Sequence, residues 1–331
     1  MPRRASMCGA AMVLALAAGA PRAASAQRVP LAAQRAAAGD RVSMEVEGYS
    51  VGFLRDVGGG NPVATVVTGP PGPDGIPGKH VSTIDYDDIV AVVGIGMGKG
   101  MYDWISGSLA GTQPPRKNGR VVTGDFSYKA QSEQAFSNAF VSAITFPALD
   151  GSSKDAAYFT VQITPGAVAF TKGNGADMRG KMGPKQKAWL SSSFRFELAG
   201  LPTNRVASID SFTIRRKVLQ TGGGAMREPA KVPSSLEFPN LVLTISAADQ
   251  AQWEQWRDSF LIQGRHTDAD EKAGAIVFLG PDMKSELGRV SLDHCGLVRL
   301  VPNAGDAGAV SRFTVELYCQ KMALTLNDYD A

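Results

Sequence analysis

The sequence has little cysteine, little histidine and no excess charge of one sign, and each shortage excludes a class of protein. Three Cys and three His in 331 residues are too few for a disulfide-rich scaffold or a multinuclear metal centre. The 34 basic residues nearly balance the 31 acidic ones, so the charge does not indicate a nucleic-acid binder. Beyond the N-terminus no apolar run is long enough to predict a membrane span.

The N-terminal 26 residues have the pattern of an export signal. Arg3 and Arg4 form a basic start, an apolar run covers residues 7–20, and residues 24–26 place small side chains where a signal peptidase cleaves. We therefore expect cleavage after Ala26 and an exported mature chain in the periplasm, on the cell surface or outside the cell. The alternative is a phage-like particle that assembles in the cytoplasm. Cleavage would remove three arginines and no acid, which leaves a neutral mature chain with little self-repulsion.

Two cysteines remain after the predicted cleavage, because Cys8 lies in the signal segment. Cys295 and Cys319 both fall in strand-like segments near the C-terminus. An oxidising compartment would allow a disulfide if these strands pair at the right distance. The alternative is two buried free thiols, and the sequence leaves both open.

Alternation of apolar and polar residues predicts strands in the first half of the chain. Val42, Met44 and Val46 alternate with polar residues, which indicates a half-buried strand. The Gly- and Pro-rich stretch from Asp56 to Lys79 has no period, so we expect a long irregular loop there. The other predicted elements are strands at 80–84, 89–93, 136–146 and 158–163, a short helix at 101–105, and a turn at 117–120 followed by a strand at 121–126.

The second half repeats this order of elements. Its clearest feature is a helix over 247–260, with Ser246 as its cap, aromatic residues at Trp253, Trp256 and Phe260, and Gly264 at its end. A second Gly-rich loop is expected at 221–233. Strands are predicted at 194–198, 208–217, 241–245, 275–279, 287–300 and 312–326.

The repeated order predicts a tandem organisation. The short segment around Trp104 aligns with the one around Trp256. After the signal peptide at 1–26 and a flexible lead at 27–40, the pattern predicts a β domain at 41–165, a linker at 166–190 and a second β domain at 191–328. Trp189, at the end of the linker, is expected to pack between the domains.

Two short motifs in the first half resemble binding sites but lack the required spacing. Residues 94–100 are rich in glycine and contain Lys99, yet no Ser or Thr follows the lysine to hold Mg²⁺, as a phosphate loop requires. We interpret this segment as a strand-to-helix turn. Asp85, Asp87 and Asp88 could attract Ca²⁺, but the glycine and late glutamate of a calcium loop are missing. A solvated turn is the favoured interpretation.

The second half offers two further polar groups. His266, Asp268, Asp270 and Glu271 could bind a divalent metal, although a polar loop is favoured. His294 lies beside Cys295, with Asp293 before it, but adjacent strand residues point to opposite faces, so a thiol site is disfavoured. We therefore predict no catalytic, cofactor-binding or metal-binding residues.

The four tryptophans could suggest carbohydrate stacking. Trp253 and Trp256 stand at helical spacing, which is more typical of side chains that cover a core. We therefore expect these two to be buried.

The first half resembles the tail-tube proteins of contractile phages and their relatives in type VI secretion and injection systems. The resemblance rests on the strand at 89–93, the helix end Asp103-Trp104-Ile105, the basic turn at 117–121, the apolar segment at 138–147 and the closing strand at 158–163. It covers most of residues 41–165, and in the second half it depends on element order and the Trp helix.

This resemblance implies a mainly β fold with two tail-tube-like sandwich or barrel domains, each carrying one short helix. It implies a structural, non-enzymatic protein that self-associates into a ring, tube or hub, including a trimer of tandem domains, with other tail-like or surface-assembly proteins as partners. The loop from Asp56 to Lys79 would reach a neighbouring subunit. The alternative function is an exported β-sandwich module that binds carbohydrate or protein through long loops, and a secreted hydrolase is the third.

Overall fold

The computed structural model describes residues 41–111, 113–179, 189–221, 229–303 and 311–327. The predicted signal segment 1–26 and lead 27–40 lie outside the described residues. Strands dominate the first half, as the sequence predicted. They are, in chain order, β1 (Arg41–Val46), β2 (Tyr49–Ser50), β3 (Gly52–Gly58), β4 (Pro62–Pro71), β5 (Pro77–Tyr86), β6 (Ile89–Met97), β7 (Lys117–Gly124), β8 (Ala130–Phe146), β9 (Leu149–Asp150), β10 (Phe159–Thr164) and β11 (Ala167–Lys172), with helix α1 (Lys99–Ala110) before β7.

The second half is also mainly β and contains one α-helix among the described residues. Its elements are β12 (Phe194–Leu198), β13 (Val206–Ile209), β14 (Phe212–Thr221), β15 (Ala230–Glu237), β16 (Leu241–Ser246), α2 (Gln250–Arg257), β17 (Lys272–Leu279), β18 (Glu286–Pro302) and β19 (Arg312–Leu326). Strand alternation explains the burial: Phe194, Phe196 and Leu198 of β12 are buried, whereas Arg195 between them is exposed.

Each half builds a sheet with the same strand order. The first runs β1-β7-β8-β10-β6-β3 and the second runs β12-β17-β18-β19-β16-β13, with all pairings antiparallel. Each half also places its α-helix between corresponding strands, α1 between β6 and β7, and α2 between β16 and β17. The two sheets therefore correspond strand by strand.

Irregularities in the pairing recur at corresponding positions. The β7–β8 and β17–β18 ladders both shift register next to a residue with positive φ, Asn138 at 52° and His294 at 51°. Gly119 and Gly274 also correspond. At each of these positions an added Cβ would collide with a carbonyl oxygen of the neighbouring strand. These shared details accompany the shared strand order. The domain bounds 41–165 and 191–328 remain a prediction.

The two halves share one hydrophobic core and exchange strands. Strand β14 pairs with β8 of the first half, and β9 pairs with β13 of the second. Trp189 is fully buried, with ring centroids 5.0 Å from Phe159 and 4.8 Å from Phe278. Trp189 thus packs between the halves, as expected. Part of the predicted linker is regular structure, since β11 pairs with β8.

The predicted second helix is confirmed, with its cap and its buried face. The Ser246 hydroxyl accepts a hydrogen bond from the Ala248 amide, and a 3₁₀ turn leads into α2. Trp253, Trp256 and Phe260 are buried, and Gly264 takes a φ of 70° after a closing π-helical turn. Helix α1 is longer than predicted, with 12 residues instead of five.

Two sequence predictions in the first half were wrong. The predicted turn at 117–120 is the start of β7. Gly119 there serves close packing, because a side chain at this position would meet both Glu45 and Phe136. The predicted loop from Asp56 to Lys79 is largely the hairpin β4–β5. Prolines at the strand ends, such as Pro62 and Pro77, fit a hairpin whose outer edges need no amide donors.

Cys295 and Cys319 face each other across β18 and β19 and form a disulfide, with Cα atoms 4.0 Å apart. Cys295 is fully buried and Cys319 is 5% exposed. The sequence left the choice between a disulfide and two thiols open, because it could not give the register of these strands.

We expect reduction of this disulfide to lower the free energy of unfolding. The bond closes a loop of 24 residues, and the loss of that constraint on the unfolded chain costs roughly 3–4 kcal/mol. Urea unfolding with and without a reductant measures the difference. A Cys295→Ala/Cys319→Ala variant is the control, since reductant should leave its midpoint unchanged. An equal response of the variant and the parent would contradict the prediction.

Candidate functional site

The acidic segment that runs from the end of β5 into the turn before β6 binds an internal lysine. The Lys231 ammonium lies 2.8 Å from an Asp85 carboxylate oxygen and also donates to the Tyr86 carbonyl. Gln220 donates to the other Asp85 oxygen at 2.6 Å. Lys231 and Gln220 come from β15 and β14, so the turn binds the β14–β15 hairpin of the second half.

Neither Asp87 nor Asp88 is positioned as a metal ligand. Asp87 accepts hydrogen bonds from Asn61, and Asp88 accepts one from the Thr164 hydroxyl at 2.7 Å. Burial raises the pKa of Asp88 above its ordinary value, and this outweighs the Thr164 hydrogen bond, which lowers it. Within the described residues no group of three or more His, Cys, Asp or Glu could hold a metal ion. The cluster is an ion-pair network between strands.

A second buried cation ties the same hairpin to helix α1. Arg216 is 4% exposed, and its guanidinium donates to the carbonyl oxygens of Ser108 and Gly111 at the end of α1, at 2.8 and 2.6 Å. It also donates to Ser234 at 2.7 Å. Burial lowers the pKa of Arg216. A cation at a helix C-terminus is favourable, because the last carbonyls carry partial negative charge.

The glycine-rich segment is the end of β6 and the start of α1, as we interpreted it. Gly98 is the N-cap residue and Lys99 begins the helix. Lys99 lies 2.5 Å from Asp103 in an exposed ion pair one turn along the helix. Gly52 approaches Gly98 so closely that a side chain at either position would collide with backbone. These glycines therefore serve strand packing.

The histidine candidates are separated by the fold. His266 contacts the Phe260 carbonyl, and Asp270 caps its own loop through Thr267. The Cys295 sulfur is in the disulfide and cannot act as a nucleophile. His294 instead contacts Glu271, with 2.9 Å between its Nδ1 and the carboxylate.

Glu271 forms a contact that the sequence did not predict. Its carboxylate accepts a hydrogen bond from the Tyr318 hydroxyl at 2.5 Å. Burial, reinforced by Glu271, raises the pKa of Tyr318 to about 12. Glu271, Tyr318 and His294 are far apart in sequence, and no spacing pattern indicates that they meet. This cluster anchors the loop before β17 to the β18–β19 ladder.

The tryptophans are core residues. Trp104, Trp189 and Trp253 are fully buried and Trp256 is 8% exposed. The indoles of Trp104 and Trp253 donate to the carbonyls of Pro115 and Pro202 at 2.8 and 3.0 Å. None of the four presents a ring face for carbohydrate stacking. This agrees with the helical spacing of Trp253 and Trp256, which predicted that both are buried.

The hairpin β4–β5 is exposed along most of its length. Its two strands form a sheet of their own, paired with no other strand in the described part of the chain. Its apolar side chains face solvent, with Val66 57% and Val81 58% exposed across from each other, and Ile76 67% exposed at the turn. Exposed strand edges and apolar side chains favour pairing with another surface.

An open cavity of about 690 Å³ lies at the base of the β14–β15 hairpin. Arg215, Glu237, Phe238 and Asn240 contribute to its lining. Glu237 pairs with Lys217 at 2.8 Å, and both side chains remain well exposed. The cavity is polar and open, which suits a charged side chain better than a small apolar ligand. Within the described residues no helix has the length and apolarity needed to cross a membrane.

No known family model matches the chain, and no characterised protein was found as a relative in sequence. Solved structures are similar over part of the chain. One similar chain comes from the sheath–tube complex of an extracellular contractile injection system (PVC) in its extended state. It is 21% identical, with a TM-score of 0.35, and the match covers 40% of this chain and 88% of that one.

Two further solved structures match a similar share of the chain. The baseplate of the anti-feeding prophage (AFP) is 18% identical, with a TM-score of 0.33, and the match covers 40% of this chain and 91% of that one. Hcp1 from Flavobacterium johnsoniae is 11% identical, with a TM-score of 0.26, over 42% of this chain and 98% of that one.

Substitution of Lys231 by Met should destabilise the fold by about 2–4 kcal/mol, because it leaves the Asp85 carboxylate without its cation. Asp85 is 26% exposed, so water reduces the penalty. The matched control is Lys217→Met on the neighbouring strand, whose ion pair is exposed and should contribute under about 1 kcal/mol. Urea unfolding of both variants checks this. Equal losses would contradict the proposed role of Lys231.

The variant Asp88→Asn should gain stability relative to the parent as pH rises. Burial raises the pKa of Asp88 in the folded chain, so the folded state favours the protonated carboxyl. The contribution of Asp88 to the free energy of unfolding is complete below its ordinary pKa. This contribution is lost as pH rises through the raised pKa. Unfolding free energies of both proteins between about pH 4 and 7 test this. A difference that stays constant or moves the other way would contradict it.

Proposed function

We propose that this chain is a structural, non-enzymatic subunit that self-associates through the hairpin β4–β5 and its sheet margins into a ring, tube or hub of a tail-like assembly. The observation that carries the proposal is the hairpin. It projects two strands with apolar side chains, and no other strand among the described residues pairs with its outer edges. A monomer that presented such an element in solution would be prone to edge pairing.

The inside of the fold supports a structural role. Several residues weighed as chemical sites have a pairing role: Lys99 in a helix ion pair, Asp85 with Lys231, and Cys295 in the disulfide. The tandem organisation is part of the proposal, because the two sheets have the same strand order. A chain with two equivalent domains can form a sixfold-like ring from three copies.

Export is also part of the proposal. Cys295 and Cys319 pair across β18 and β19, and such bonds persist in oxidising compartments. This agrees with a signal segment that ends at Ala26, and with a mature chain that works in the periplasm, on the surface or outside the cell. Partners would be further copies of the chain and other tail-like or surface-assembly proteins.

The alternative binding module differs in its solution behaviour. A module that recognises carbohydrate or protein through its long hairpins would be a monodisperse monomer at high concentration and would be retained on its ligand. Negative-stain microscopy and light scattering of the purified chain separate the two functions. Rings or filaments support the structural subunit, whereas a monomer at every concentration rules it out.

We expect the double substitution Val66→Asp/Val81→Asp to weaken assembly at least tenfold and to leave the unfolding midpoint nearly unchanged. Both valines are more than half exposed, so the two charges, which face each other across the hairpin, cost roughly 1 kcal/mol or less within the subunit but would be buried without partners in an interface. Light scattering against concentration measures assembly. Met283→Asp, at an exposed residue in another turn, is the control. If the double variant assembles as well as the parent, the hairpin is not part of the interface.

A further inference from the structure

Within the chain, the second half already extends a sheet of the first. Residues Phe212–Arg215 of β14 pair antiparallel with Phe146–Ala143 of β8. On its other side this part of β8 pairs with β10. Both edges of β8 are therefore filled here, and Ala143, Ile144 and Phe146 are all buried.

The corresponding segment of the second half has one filled edge among the described residues. Strand β18 corresponds to β8, and its residues Arg299–Pro302 pair with β19, the counterpart of β10. The correspondence is fixed by a shared bulge, which skips Ser142 in β8 and Val298 in β18. Ser142 is 6% exposed, whereas Val298 is 40% exposed. The difference in burial marks a margin that another strand can cover.

The two hairpins are counterparts as well. Hairpin β4–β5 connects β3 to β6, and β14–β15 connects the corresponding strands β13 and β16. Both ladders carry a register shift at the same place, after Ala64 in one and after Arg216 in the other. In this alignment Lys79, opposite Thr68, takes the place of Lys231, opposite Gln220.

The sites that receive the lysine correspond too. In the cluster around Lys231, Asp85 supplies the carboxylate and Tyr86 the carbonyl. By the same register, Glu237 and Phe238 are the counterparts of Asp85 and Tyr86. Glu237 pairs with Arg215 in one hairpin just as Asp85 pairs with Val63 in the other. Both line the 690 Å³ cavity. That cavity is about twice the 340 Å³ of the one around Lys231.

We propose that the hairpin β4–β5 of one copy lies along the Arg299–Pro302 margin of a second copy and places Lys79 in the Glu237 cavity. The inference rests on the proposed self-association and names its interface. The contact within the chain, in which β14 covers β8 and Lys231 reaches Asp85, is its template. Lys79 is exposed in the isolated chain, and Glu237 forms an exposed ion pair with Lys217.

This geometry joins different surfaces of the two copies, a hairpin on one and a sheet margin on the other. Such a heterologous contact leaves one unused hairpin and one unused margin on every open chain of copies. The series ends when rotation closes a ring, or it continues as a filament. Main-chain pairing supplies the affinity, and Lys79 with Glu237 selects the register.

A charge exchange tests the interface. Lys79→Glu alone and Glu237→Lys alone should each raise the concentration needed for half-assembly by at least about tenfold, since each places like charges in one cavity. The double variant Lys79→Glu/Glu237→Lys should recover most of the loss. Lys154→Glu, an equal charge change at an exposed lysine outside both elements, is the matched control. Sedimentation velocity of the whole chain gives assembly, and thermal unfolding shows that each variant is folded.

The outcomes separate this interface from the proposed function. Loss in both single variants with recovery in the double variant supports the interface. Assembly of the parent with no response to either substitution, or with no recovery in the double variant, overturns it and leaves the structural role in place. A parent that stays monomeric at every concentration overturns both.

Discussion

A strand has two hydrogen-bonding edges, and the architecture of this protein depends on how they are filled. The long strand β8 has partners on both sides in two stretches, β7 and β11 in its first part and β10 and β14 near its end. Because β14 belongs to the other half of the chain, this ladder adds a hairpin of the second half to the sheet of the first and so joins the two halves. Main-chain pairing buries Ala143 and Ile144, and it brings the β14–β15 hairpin close enough for its cations to reach the first half.

The two cations of this hairpin are buried, and each has oxygen atoms as partners. Lys231 and Arg216 lie on neighbouring strands of the hairpin, and both are more than nine-tenths buried. Each reaches oxygen atoms of the first half, a carboxylate and a carbonyl for Lys231 and helix-end carbonyls for Arg216. A buried cation without such atoms is strongly destabilising. The hairpin is therefore fixed at two points that only one docking position satisfies.

Local patterns predicted what depends on neighbouring residues in sequence. Period-two alternation located most strands, and the spacing of Trp253, Trp256 and Phe260 located the second helix. Gly and Pro led to wrong predictions at two places. At β4–β5, prolines at the edges of an isolated two-stranded hairpin interrupt no ladder. At position 119 glycine is required, because a neighbouring carbonyl leaves no room for a side chain. Lys231 was missed because its partner Asp85 lies in the other half. No local pattern encodes such a contact, nor the meeting of Glu271 with Tyr318 and His294.

The disulfide stands beside the bulge at His294, a few residues before the open margin of β18. In a reducing cytoplasm the two thiols would remain unbonded, and hydrogen bonds and packing alone would stabilise the β18–β19 ladder. On the proposed export route, oxidation would follow translocation, and the closing of the disulfide would be a maturation step. A newly made chain would reach its final rigidity only after it had left the compartment of its synthesis.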